Sequence, residues 1–140
     1  MAEIRKDQLV ELSDAKLHDA KLLRNAGRSD NAYYLAGYAV ELMLKAILSS
    51  QFKTDTLPDK TLLKDIFIHD LAKLVRLSHL EDDLKARKDI DADFEGYWQI
   101  VLDWNEASRY GAQGLEKVND LIEAIENPEH GVLPWLRSKL

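Results

Sequence analysis

The 140 residues carry a formal net charge of −6, with 46 % hydrophobic and 31 % charged residues and no cysteine. That balance fits one globular domain spanning 1–140, long enough to bury a core without covalent staples. Disulfides, thiolate metal sites and a cysteine nucleophile are excluded, and a pI of about 5.2 speaks against indiscriminate binding of nucleic acid, whose phosphates need lysine and arginine.

The opening Met1–Asp7 lacks the apolar centre of a signal peptide. No apolar run approaches the roughly 20 residues that span a bilayer; even Leu35–Leu48 is broken by Glu41 and Lys45. The expectation is a cytoplasmic protein with no membrane association.

Apolar residues recur at three and four throughout, and no stretch alternates as a strand would, which predicts an all-α bundle of about five helices. The first helix is expected over Asp7–Ala26, with Leu9, Leu12, Ala20 and Leu23 on its inner face and Val10 and Leu17 at the border. Gly27 suits its C-terminal cap, and Ser29 or Asp30 offers an oxygen to start the next helix. That second helix, Asp30–Ser50, is the most apolar segment and is expected at the centre of the bundle. Lys53–Lys60, with Pro58, reads as a loop. A short helix follows His69-Asp70, turning Leu71, Leu74 and Val75 inward. Glu81–Asp93 is a solvated connection or an exposed helix. Phe94, Trp98, Val101 and Leu102 mark a further helix ending near Gly111. Leu115, Val118, Ile122 and Ile125 mark the last long one, stopped by Asn127-Pro128, after which Leu133–Leu136 folds back as an apolar tail.

Chemistry concentrates where the apolar helix is interrupted. At 100° per residue, Tyr34, Tyr38, Glu41 and Lys45 fall within a strip about 60° wide. Two readings of this stripe stand side by side. In one, Glu41 and Lys45 form an i,i+4 pair on the solvent edge while the tyrosines reach outward. In the other, the stripe lines a cleft closed by another helix, with Glu41 paired to Lys45, Arg109 or both. The second cluster runs from Trp98 to Tyr110, where Glu106, Arg109 and Tyr110 follow Trp104 closely. An arginine beside an aromatic ring suits a phosphate or a base, and it equally suits a buried carboxylate such as Glu41.

The segment DNAYYLAGYAVELMLKA, Asp30–Ala46, resembles the second helix of HEPN domains, the nucleotide-binding helical bundles of prokaryotes and eukaryotes. The later His69-Asp70-Leu71 and Trp104–Tyr110 are similar to the family in kind and order, so the resemblance covers about Asp7–Ile125. It implies an antiparallel, HEPN-like bundle, a homodimer, linked to nucleotide or RNA binding. It further implies work beside a small nucleotidyltransferase in toxin–antitoxin or defence systems, and places Tyr38, Glu41, Lys45 and Arg109 near a central cleft. Ribonuclease members carry an arginine followed, after four to six residues, by a histidine for acid–base chemistry. Here those positions after Arg109 are Gly114, Leu115 and Glu116, and none of His18, His69, His79 and His130 has an arginine at that distance before it.

Glycine-rich phosphate loops, nucleophile elbows and zinc-protease helices are absent from the sequence. Asp70 after His69 has a capping explanation and gives no reason to assign a metal. The expected function is therefore a non-catalytic domain without cofactor, binding a nucleotide, RNA or a partner protein through Tyr34, Tyr38, Glu41, Lys45, His69, Arg109 and Tyr110. The alternative is a metal-independent ribonuclease whose acid–base group is supplied from elsewhere, His69 above all.

Overall fold

A computed structural model describes residues 4–52, 55, 64 and 67–140, and at Arg109 the backbone alone. Among the described residues it has seven α-helices, one 3-10 turn and no strand. We number the helices α1 (Lys6–Asn25), α2 (Ser29–Ser49), α3 (Leu71–Leu77), α4 (Glu81–Ile90), α5 (Ala92–Leu102), α6 (Leu115–Glu126) and α7 (Val132–Arg137); the 3-10 turn is Glu106–Tyr110. None of these helices is long and apolar enough to cross a membrane. The loop expected at Lys53–Lys60 lies outside the described residues, Asp55 excepted.

Helices α1 and α2 form an antiparallel hairpin. Gly27 takes φ +78°, the left-handed conformation that a side chain resists, and lets Arg28 N–H return to the Leu23 carbonyl at 2.8 Å. The expected capping of α2 by Ser29 or Asp30 does not occur: neither side chain caps it, and Asp30 instead accepts a hydrogen bond from Gln113 N–H at 2.6 Å. The inner face of α1 is also rotated from the expected one. Ser13, Leu17 and Ala20 are buried, while Leu12 is 43 % exposed. The reason is polar: Ser13 Oγ donates to the Ala39 carbonyl of α2 at 2.6 Å, so a small hydroxyl holds the centre of the seam.

The α2 helix is central, touching α1, α3, α6, α7 and the 3-10 turn. A helix contacted on so many sides has little room for charge, which makes the burial of Glu41 in it informative. Helix α3 is capped by Asp70, whose Oδ1 accepts from Lys73 N–H at 3.1 Å. The charged stretch forms an exposed helix, α4, with Glu81, Asp82 and Asp83 at its start and Arg87 and Lys88 at its end, the order that the helix dipole favours.

Two boundaries differ from expectation for packing reasons. The helix bearing Trp98 stops at Leu102 rather than near Gly111. A continuous helix would carry Trp104 about 120° away from Trp98. Breaking at Asp103–Asn105 turns the indole onto α2 instead, and the chain resumes as the 3-10 turn. The apolar tail is helical, because Trp135 of α7 meets Phe94 and Trp98 edge-on at 5.3 and 6.4 Å between centroids. In α6, Val118, Leu121, Ile122 and Ile125 are buried, whereas Leu115 opens the helix and is exposed.

Candidate functional site

Glu41 is 0 % exposed. Its carboxylate receives Lys45 Nζ at 3.1 Å from one turn later on α2. It also meets Nδ1 of His69 at 3.0 and 3.1 Å, from the residue before Asp70, the cap of α3. A carboxylate removed from water is tolerable only with such partners, so the two contacts explain why α2 can bury a charge. The solvent-edge reading of the stripe is therefore excluded for Glu41. Lys45, with 19 % of its side chain exposed, and His69, with 39 %, lead outward from it.

His69 faces a second carboxylate. Its Nε2 lies 3.6 Å from Oε1 of Glu106, the first residue of the 3-10 turn. Imidazole thus bridges α2 to that turn at the entrance of α3, with Nδ1 committed to the buried group. Beside it opens a cleft of about 570 Å³, bounded by His69–Ala72 on one side and Leu102, Trp104, Glu106 and Ala107 on the other.

The remaining stripe residues form the cleft's support. Tyr34 stacks on Tyr38 at 5.9 Å and on Trp104 at 6.1 Å between centroids. The Trp104 ring itself lies against Gly37, where no Cβ fits. Burial, and after it the nearby Glu41 charge, pushes the Tyr38 phenol above its usual range, so Tyr38 stays a neutral hydrogen-bonding group near pH 7.

The comparisons with protein-family models, curated proteins and solved structures yield no match.

Of the residues singled out in the sequence, the structure brings Lys45 and His69 onto the buried carboxylate of Glu41, while Tyr34 stacks on Tyr38 and on Trp104. Tyr110 is 78 % exposed and does not line the cleft. The expected pairing of Arg109 with Glu41 rests on a side chain outside the described residues. Glu106, Trp104 and Gly37 belong to the site as well and were not assigned to it. Gly37 carried a signal: glycine inside a helix costs about 1 kcal/mol relative to alanine and needs a packing reason.

A second polar cluster lies elsewhere. Nδ1 of His130 meets Asp91 at 2.8 Å, Arg87 reaches Asp91 at 3.2 Å, and Asp91 also caps α5 by accepting from Phe94 N–H at 3.0 Å. Ligand atoms of Asp91, Asp93 and His130 lie within 4.8 Å of one another, a spacing that a cation could bridge. The contact between Asp91 and His130, however, already serves to clasp the α4–α5 junction to the turn before α7. The hydrogen bond to Asp91, joined by the surrounding carboxylates, raises the His130 pKa above 6.5, and the same bond lowers that of Asp91 below 3.8. The His130 contribution to stability is therefore fully present below about pH 6.5 and lost as pH rises through the raised folded value. The Asp91 contribution is present above about pH 3.8 and lost as pH falls through the lowered one. Urea midpoints should decline as pH rises above about 6.5 in the native chain and stay flatter in His130→Ala; equal slopes would refute the clasp.

Proposed function

We propose that the chain is a non-catalytic, HEPN-like binding domain, acting as a cytoplasmic homodimer in a toxin–antitoxin or defence setting. Its ligand, whether a nucleotide, RNA or a partner protein such as a small nucleotidyltransferase, enters the cleft beside His69. The observation that carries this reading is the convergence on Glu41: a fully buried carboxylate pairs with Lys45 and holds His69 at the wall of an open cleft. The likeness of Asp30–Ala46 to the second HEPN helix supports it, and the missing arginine–histidine pair supports a role in binding rather than cleavage.

A direct test fills the cleft. Ala72 lines it and is exposed, so Ala72→Trp occupies the space without entering the core. Native mass spectrometry with AMP, a short RNA and any nucleotidyltransferase encoded beside the chain should show a dimer that binds at least one of them, and Ala72→Trp should remove that binding. Binding unchanged by the variant would place the ligand elsewhere.

One feature favours the rival ribonuclease reading. Glu41 fixes the tautomer of His69 through Nδ1, which leaves Nε2 on the Glu106 side of the cleft, the arrangement of an oriented acid–base imidazole. RNA cleavage in the presence of chelator, abolished in His69→Ala, would replace the first reading with this one.

A further inference from the structure

The imidazole at the α4–α5 junction has a second nitrogen. His130 gives Nδ1 to Asp91 at 2.8 Å, and Asp91 is tied further to Arg87 and to the Phe94 N–H. Nε2 of the same ring stands near two other carboxylates, 3.7 Å from Oδ2 of Asp93 and 3.6 Å from Oε2 of Glu129. Both separations are too long for a hydrogen bond. The Asp93 and Glu129 side chains are 73 % and 82 % exposed, and among the described residues neither carboxylate pairs with a lysine or an arginine. Arg87, the cation at hand, is committed to Asp91 and to the Glu129 carbonyl.

Two ligand atoms held at about 2.1 Å from one zinc ion lie about 3.4 Å apart at the tetrahedral angle. The separations around Nε2 fall within a few tenths of an ångström of that spacing. The donors agree with it: imidazole nitrogen beside carboxylate oxygen suits zinc, whereas magnesium favours an all-oxygen shell. Asp91 supplies what a ligating histidine ordinarily has, a carboxylate on its other ring nitrogen that fixes tautomer and orientation. We infer that the chain binds a zinc ion here, through Nε2 of His130 and the Asp93 and Glu129 carboxylates, with Asp91 positioning the ring. The ion joins the start of α5 to the turn between α6 and α7 and stabilises the native state by mass action. Asp93 and His130 come from distant segments, so no metal motif marks them in the sequence.

The test titrates zinc chloride, and in parallel magnesium chloride, into the isotope-labelled full chain at about pH 8, where protons compete little for imidazole. Zinc should bind saturably, shift the His130 ring resonances and not those of His69, and raise the urea midpoint; magnesium should do none of these. Asp93→Asn and Glu129→Gln each keep the shape and remove the charge at an exposed position, and each should weaken zinc binding at least about ten-fold. Asp91→Asn leaves the ligands in place and should weaken it about ten-fold through the ring's orientation; should that variant loosen the junction, the two exposed variants decide. No saturable zinc binding by the folded chain, binding that moves His69 in place of His130, or affinity unchanged in either exposed variant overturns the inference. An equal response to magnesium overturns it too, since that shows only the pull of an acidic surface on any divalent ion.

Discussion

Gly37→Ala should destabilise the protein by about 1–3 kcal/mol, the range for forcing extra volume into a close-packed core. The sign is the opposite of the usual one, since alanine in place of glycine inside a helix ordinarily gains about 1 kcal/mol. A Cβ at Gly37 falls onto the five-membered ring of Trp104, and neither partner has somewhere to go. The α2 backbone is held on several sides, and Trp104 is 2 % exposed and stacked on Tyr34. Removing the obstruction isolates the cause. In a Trp104→Ala background, itself costly by about 3–5 kcal/mol, Gly37→Ala should become neutral or stabilising. Because Trp104 is part of the cleft wall, Gly37→Ala should also abolish ligand binding at temperatures where the chain remains folded. A raised urea midpoint in the single variant would show that the indole does not press on α2.

What the sequence makes legible here is what repeats locally. Helices α1 and α2 follow their apolar spacing to within a residue, and Gly27 sits at the left-handed turn between them because only local sterics decide it. Spacing fails where a polar contact from a distant segment competes. The inner face of α1 turns toward Ser13 because the Ala39 carbonyl lies across the seam, 26 residues on. Asp30 leaves its capping role for Gln113, 83 residues on. The helix through Trp98 breaks because Trp104 fits against a glycine on another helix, a match that no periodicity records. The site divides in the same way. The stripe Tyr34, Tyr38, Glu41, Lys45 is legible as one edge of a helix. Its bridge to Glu106 through His69 joins three segments and needs the fold.

Glu41 should prove at least as sensitive a position as Gly37. Removing one partner of a buried ion pair typically costs about 3–5 kcal/mol, and an exposed pair contributes under about 1 kcal/mol. Complete burial of the carboxylate puts Glu41→Ala in the upper range, since it empties the space and strands both partners. Glu41→Gln keeps the shape and an acceptor for Lys45, but it turns an amide toward Nδ1 of His69. Lys45 and His69 both retain a path to water, so the stranded groups can relax outward. The expected loss for the glutamine variant is therefore about 2 kcal/mol, near the value of a hydrogen bond to a charged group. Double-mutant cycles of Glu41→Gln with Lys45→Met and with His69→Ala separate the two contacts, and each should show coupling of about 1 kcal/mol or more. A third cycle with Arg109→Met asks whether the guanidinium shares the carboxylate. Coupling there would add an Arg109 contact to Glu41 beside those of Lys45 and His69. Additivity in the first two cycles would mean that neither contact holds the buried charge, and His69 would lose the group that orients its ring toward the cleft.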